Sequence, residues 1–282
     1  MRFASFSVRG VPTYGVVTET GLRPVGAVFL ARYPSLKAAI AGDALQAAAA
    51  AALGNPRIPD PAGIAYQPVI PDAGKILCVG VNYLAHMKEM GREPPAHPFM
   101  FVRFNDSLVG HECSLLRPAA SAQHDFEGEL AVVIGRSARN VPSERALAYA
   151  AGYSCLNDGS IRDFQHHSQQ VTAGKNFPCS GSFGPHLVTI EEIPDPTALH
   201  LQTRINGQIM QDAPVADMRF GVAELIAYCS SFTRLEPGDV ISTGTPSGVG
   251  YARKPQVWLK PGDTLEVEIS VIGVLRNSVI AE

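Results

Sequence analysis

The chain is short of charge, of long apolar runs and of paired cysteines, and each shortage removes a class of function. Charged residues make up 17% of its 282 positions, the net charge is −3, and there is no run of lysine or arginine. Nucleic-acid binding draws its affinity from a basic surface that neutralises phosphates, so none is expected here. No apolar stretch approaches the roughly 20 residues that a membrane-crossing helix needs, and Met1-Arg2-Phe3-Ala4-Ser5-Phe6 lacks the apolar core of a signal peptide. The five cysteines are odd in number, widely spaced and free of any CxxC pair, which excludes a disulfide framework and a cysteine zinc site. With 46% hydrophobic residues the chain can bury a sizeable core. The expectation is a cytoplasmic protein that works on a small molecule, without nucleic-acid or membrane partners.

Residues 1 to about 30 alternate apolar and polar positions around Gly10, Pro12 and Gly21, which reads as a three-stranded meander. The alanine-rich stretch from Ser35 to Leu53 reads as one helix with Leu36, Ala39, Ile40, Leu45 and Ala49 as its buried stripe. A proline cluster from Gly54 to Pro61 favours extended backbone, so the boundary of a small N-terminal domain is placed near residue 70, giving 1–70 and 71–282. Beyond Lys75, short strands are expected at 75–80, 98–104, 129–135, 185–190, 199–206, 239–243 and 264–271, with helices at 83–91, 143–151, 159–168 and 221–231. This order lacks the regular alternation of a parallel α/β sheet, so the fold class is α+β and β-rich, a mixed sandwich or barrel.

What is present is acidic and local. In Asp125-Phe126-Glu127-Gly128-Glu129 two glutamates stand two positions apart before the apolar run Leu130 to Ile134, so both project from one face at the head of a strand. Such a pair either is solvated at an exposed strand end, raises one pKa, or binds a hard cation such as Mg2+, Mn2+ or Ca2+. Asp158, at the end of one expected strand and the start of the next helix, could complete an oxygen triad; its position alone favours a helix N-cap. His86 and Glu89, three apart on a short helix, form either a local ion pair or a base with its orienting carboxylate. Arg162, Gln165 and Lys175 offer donors for carboxylate and carbonyl oxygens, or serve the surface. Gly174-Lys175 lacks the GxxxxGK[ST] pattern, so it is no nucleotide phosphate loop. The turn Thr243-Gly244-Thr245-Pro246-Ser247-Gly248-Val249-Gly250 reads as an amide nest for an anion or as a structural turn. The remaining histidines, His166-His167 included, are assigned to packing or surface.

In combination, Gly80-x-Asn82-Tyr83-x-x-His86-x-x-Glu89, Asp125-Phe126-Glu127-Gly128-Glu129-Leu130, Asn157-Asp158, Arg162-Asp163-Phe164-Gln165, Gly174-Lys175 and the Thr243 to Gly250 turn resemble the fumarylacetoacetate hydrolase family over about residues 72–280. The resemblance implies a rolled mixed-sheet core preceded by a small β-rich N-terminal domain, a homodimer, and Mg2+ or Mn2+ held by Glu127, Glu129 and Asp158, a site that Ca2+ can also occupy. It further implies His86 and Glu89 as the pair that activates water or moves protons, Lys175 beside the metal-bound substrate, and Tyr83, Arg162, Gln165 and Thr245 as substrate contacts. The implied reaction is hydrolysis of a carbon–carbon bond in an acylpyruvate-type 1,3-diketo acid, such as a fumarylpyruvate, in aromatic catabolism. Decarboxylation of an oxaloacetate-like acid, isomerisation or hydration of an unsaturated 2-oxo acid, and a metal-stabilised binding role without catalysis are the alternatives. Three positions depart from the family's pattern: Ile161 in Ser160-Ile161-Arg162-Asp163, Gly159 in place of a β-branched residue, and Arg103 where a lysine is frequent. Arg103 is expected to alter substrate fit at its edge of the site.

Overall fold

The structure is a computed structural model that describes residues 1–58 and 63–282; the end of the proline cluster, from Pro59 to Pro61, lies outside the described residues. Strands Arg2–Val8, Val11–Thr18 and Gly21–Pro24 form the expected meander, and residues 27–32 beyond it turn helical. Arg2 and Phe3 pair antiparallel with Val188 and Leu187 of the Gly181–Thr189 strand. The sheet continues through Ala150–Asn157, Gly128–Ile134, Val240–Ser242, Ile76–Gly80 and Phe99–Arg103, for eleven strands among the described residues. Pairing is mixed: Val240–Ser242 runs parallel to Ile76–Gly80, while its other neighbour is antiparallel. A second sheet of five strands orders Gln208–Pro214, His200–Ile205, Thr264–Ile269, Gly273–Ala281 and Leu115–Arg117.

The Gly128–Ile134 strand shows why its sequence is a continuous apolar run. It is buried along its whole length, and its alternate side chains enter different cores, as a strand with both faces covered requires. Leu130, Val132 and Ile134 pack with Leu201, Val267 and Ile269 of the second sheet and with Leu225 and Ile226 of the Val222–Phe232 helix. Ala131 and Val133 face the core that Leu36, Ile40, Ala48 and Ala52 fill from the N-terminal region. Glu127 and Glu129 continue this second face at the open end of the strand.

Several elements differ from expectation. The 35–53 helix is two, Leu36–Ala41 and Leu45–Leu53, because Gly42 closes the first and Asp43 takes a positive φ of 51°. The 143–151 helix is a single turn, Ser143–Ala146, followed by a 3-10 turn, since Ala150 already begins a strand. The 159–168 helix shrinks to Arg162–Gln165, because Ser160 and Ile161 pair as a short strand with Asp125 and His124. Asp158 therefore caps no helix.

Candidate active site

The site begins with strand pairing. Gly128 stands opposite Asn157 in the antiparallel pair, and the Asp158 amide donates to the Glu127 carbonyl at 2.8 Å. This places Asp158 beside the two glutamates, with one carboxylate oxygen from each residue within 4.8 Å of the others. Glycine is required between the glutamates: a Cβ at Gly128 would lie 2.2 Å from Thr203 Oγ1 of the second sheet. Glu127, Glu129 and Asp158 are all buried.

Buried carboxylates need counter-charges, and three buried cations supply them unevenly. Lys175 Nζ donates to Glu127 Oε2 and Asp158 Oδ2, both at 2.6 Å. Arg162 Nη2 donates to Glu127 Oε1 at 2.7 Å, and Arg103 Nη1 to Asp158 Oδ1 at 2.6 Å. Glu129 has no such partner; among the described residues its hydrogen bonds, from Ser242 Oγ at 2.5 Å and Gly244 N at 2.9 Å, both fall on Oε2. Burial alone would raise the Glu127 carboxyl, but Lys175 and Arg162 outweigh it and hold it below the usual range. Burial pushes Glu129 well above that range, and the charges of Asp158 and Glu127 push it further. Burial works against the Lys175 ammonium, yet Asp158 and Glu127 prevail and raise it. Three converging carboxylates, one of them lacking a counter-ion and with an oxygen to spare, fit a hard divalent cation.

The His86–Glu89 pair lies beside this cluster. On the Leu84–Glu89 helix, His86 Nδ1 lies 2.8 Å from Glu89 Oε2, and Glu89 Oε1 accepts from Gly248 N at 2.9 Å. A cavity of about 670 Å3 brings together His86, Glu127, Glu129, Arg162, Gln165, Lys175 and Thr245 on its wall. Thr245 Oγ1 donates to the Gly128 carbonyl at 2.9 Å and accepts from Gln211 at 2.8 Å, tying the turn to the acidic segment. Asp158 and Glu89 stand behind this wall. Tyr83 is not brought to it: its ring is buried, and its hydroxyl has no partner among the described residues.

The glycine-rich turn acts differently from a ligand nest. Its amides hold the protein's own acids: Gly244 donates to Glu129, Gly248 to Glu89, and Gly250 and Tyr251 to Asp125 at 2.8 and 2.9 Å. Asp125 also accepts from Arg162 Nε at 2.8 Å, so it locks the turn to the arginine that holds Glu127. Sequence reasoning assigned Asp125 no role; its place at the start of the acidic motif was the available signal. His166 and His167 likewise line the cavity mouth, with the His166 ring 5.4 Å from Tyr251. Arg103 departs from expectation too. Strand alternation turns Val102 outward and Arg103 inward, so it does not line the cavity and instead grips Asp158.

The fold thus presents a buried carboxylate triad suited to a divalent cation, with His86 on the same cavity wall as Glu127 and Glu129. Residues 75–280 match the family model described as Fumarylacetoacetate (FAA) hydrolase C-terminal, and the chain belongs to that family. It is 41% identical over 207 residues to a mitochondrial oxaloacetate tautomerase of Rattus norvegicus, a match that covers 73% of this chain and 66% of that protein. Among solved structures it resembles a fumarylacetoacetate hydrolase from Exiguobacterium antarcticum with a TM-score of 0.87 at 32% identity, covering all of both chains. It also resembles a maleylpyruvate hydrolase from Sphingobium sp. SYK-6 in complex with manganese(II) and pyruvate, with a TM-score of 0.82 at 26% identity over 100% of this chain and 99% of that one.

Proposed function

We propose that the protein is a divalent-metal-dependent hydrolase that cleaves the carbon–carbon bond of an acylpyruvate-type 1,3-diketo acid, with Glu127, Glu129 and Asp158 holding Mg2+ or Mn2+. The observation that carries this reading is His86, hydrogen-bonded to Glu89 behind it, on the same cavity wall as Glu127 and Glu129. When bound, the metal supplies Lewis acidity toward the oxygens of the 2-oxo acid. The Glu89 carboxylate accepts from Nδ1–H of His86, an assignment drawn from the hydrogen-bond network, which leaves Nε2 to take a proton. His86 removes a proton from water, and the hydroxide adds to the distal carbonyl carbon. The bond from that carbon to the central methylene then breaks, its electron pair stays with the methylene carbon, and His86 returns the proton there. Pyruvate and a carboxylic acid leave, with one water consumed.

The remaining side chains bind and orient. Lys175 is held by Glu127 and Asp158 as an ammonium, so it lends charge and a hydrogen bond and does not act as a base. Arg162, Gln165 and Thr245 contact the substrate's polar end. Charge balance supports a monoanionic head group. Among the described residues, Asp125, Glu127 and Asp158 form ion pairs only with Arg103, Arg162 and Lys175, and Glu129 forms none. A divalent cation converts this deficit of one into an excess of one, which a 2-oxo carboxylate neutralises.

The test is a panel of fumarylpyruvate, acetylpyruvate, oxaloacetate and a 2-oxo-heptene-dioate, following loss of enol absorbance with and without EDTA and identifying the products. Release of two acids from an acylpyruvate is the expected result; turnover that ignores EDTA would sink the scheme. A second reading, keto–enol tautomerisation of oxaloacetate, is favoured by the 41% identity to the rat tautomerase. There His86 would carry a proton between carbon and oxygen with no water consumed, and the product would keep every atom. The reading also takes residues 1–70 as an appended unit beside the catalytic part and the assembly as a homodimer, which light scattering tests.

A further inference from the structure

Arg103 ends the Phe99–Arg103 strand, its side chain wholly buried behind the cavity wall. Every N–H of its guanidinium finds an acceptor. Nε donates to Ser107 Oγ at 3.1 Å. Nη1 donates to Asp158 Oδ1 at 2.6 Å and to the Gly159 carbonyl at 2.8 Å. Nη2 donates to the Ser107 carbonyl at 3.2 Å and to Ser180 Oγ at 3.0 Å. The other Asp158 oxygen, Oδ2, is the one that meets Lys175 at 2.6 Å. Gly159 makes this possible, because a Cβ there would lie 1.9 Å from the Ser180 carbonyl and force the 158–159 backbone away from the guanidinium.

We infer that Arg103 is a positioning residue for the metal site: its rigid fork sets the plane of the Asp158 carboxylate so that Oδ2 converges with Glu127 and Glu129. The inference rests on the reading of these three residues as metal ligands. Its sign distinguishes it from an effect of charge. A cation so near the site repels a divalent ion, so by charge alone its removal would tighten metal binding. By positioning, removal loosens it. Lysine keeps the charge but concentrates its three donors on one atom, and cannot span acceptors contributed by Ser107, Asp158, Gly159 and Ser180.

The experiment is titration of Mn2+ into the EDTA-treated, dialysed protein by calorimetry, for the unmodified chain, Arg103→Lys and Arg103→Met, with thermal unfolding of each metal-free protein alongside. Both variants are expected to bind Mn2+ about 10- to 100-fold more weakly, the usual cost of removing a group that orients a ligand. Unchanged affinity in Arg103→Lys together with tighter binding in Arg103→Met would assign the residue a charge role and overturn the inference. A fall in unfolding temperature with unchanged Mn2+ affinity of the folded variant would reduce it to a structural role and overturn it as well. If neither variant folds, Ser180→Ala removes a single acceptor of the fork, and the expected result is a several-fold loss of Mn2+ affinity; none would count against positioning. An unmodified protein that binds no Mn2+ would fail the parent reading, whereas binding that is indifferent to all three substitutions would fail this inference alone.

Discussion

Beneath the Leu36–Ala41 and Leu45–Leu53 helices the protein buries Leu36, Ile40, Ala48 and Ala52 against Phe3 and Leu187, whereas at the open end of the Gly128–Ile134 strand it buries Asp125, Glu127, Glu129 and Asp158. Both regions use the same face of that strand. The first is held by the removal of apolar surface from water, which is non-directional and adds up over many small contacts. The second is held by individual charge-assisted bonds, each with one donor and one acceptor. The apolar layer therefore tolerates a change that keeps volume, while the acidic cluster tolerates none that removes a partner, since each leaves an uncompensated buried charge.

The largest effects are expected at the site. His86→Ala should lower kcat by about 10²- to 10⁴-fold, the range for losing a general base, with Mn2+ affinity unchanged in calorimetry. An unaltered kcat would move the proton-carrying role to another group. Asp125→Asn removes one of the two acids that neutralise Arg162 and loosens the glycine-rich turn; the expected cost is about 3–5 kcal/mol in urea unfolding. Leu36→Ala in the apolar layer should cost about 2–4 kcal/mol. It should leave activity per folded molecule as it was, because Leu36 itself does not line the cavity.

The smallest effect is in pH. The Glu129 carboxyl is raised in the folded state, so the metal-free fold loses stability as pH climbs above the unfolded carboxylate value of about 4.3 and until the folded value is passed. Metal binding needs the ionised form, so it should release up to about one proton and strengthen by at most about tenfold per pH unit. Titrations in buffers of different ionisation enthalpy measure this; no proton release would show that Glu129 is already ionised. Glu127 has the opposite sign. Its lowered value contributes stability above the unfolded carboxylate value, and that contribution is lost as pH falls through the folded one.

How far the molecule was legible depended on range. The spacing of Glu127 and Glu129 is a strand property and that of His86 and Glu89 a helix property, so both pairs were visible from neighbouring residues alone. The two strands that frame the acidic end were less visible. The segment leading to Asp158 reads as the end of a strand, but its first residues, Ala150 and Ala151, read as the end of a helix. The Ser160–Ile161 strand exists only because His124 and Asp125 lie beside it, more than thirty positions earlier. Arg103 and Asp125 were misjudged or passed over for the same reason, since their partners are 55 and 37 residues away.

The β-rich class, the acidic pair at the head of a buried strand and the histidine with its carboxylate follow from the amino-acid order alone, because each rests on periodicities of two and of about 3.6 residues acting locally. Long-range packing was needed to set Asp158 beside the glutamates with no helix to cap, to put Arg103 against Asp158 and off the cavity wall, and to direct the amides of the glycine-rich turn to Glu129, Glu89 and Asp125. The physical reason is one and the same. A buried charge is satisfied by whatever donor the fold brings within about 3 Å, and strand register, not proximity along the chain, chooses that donor.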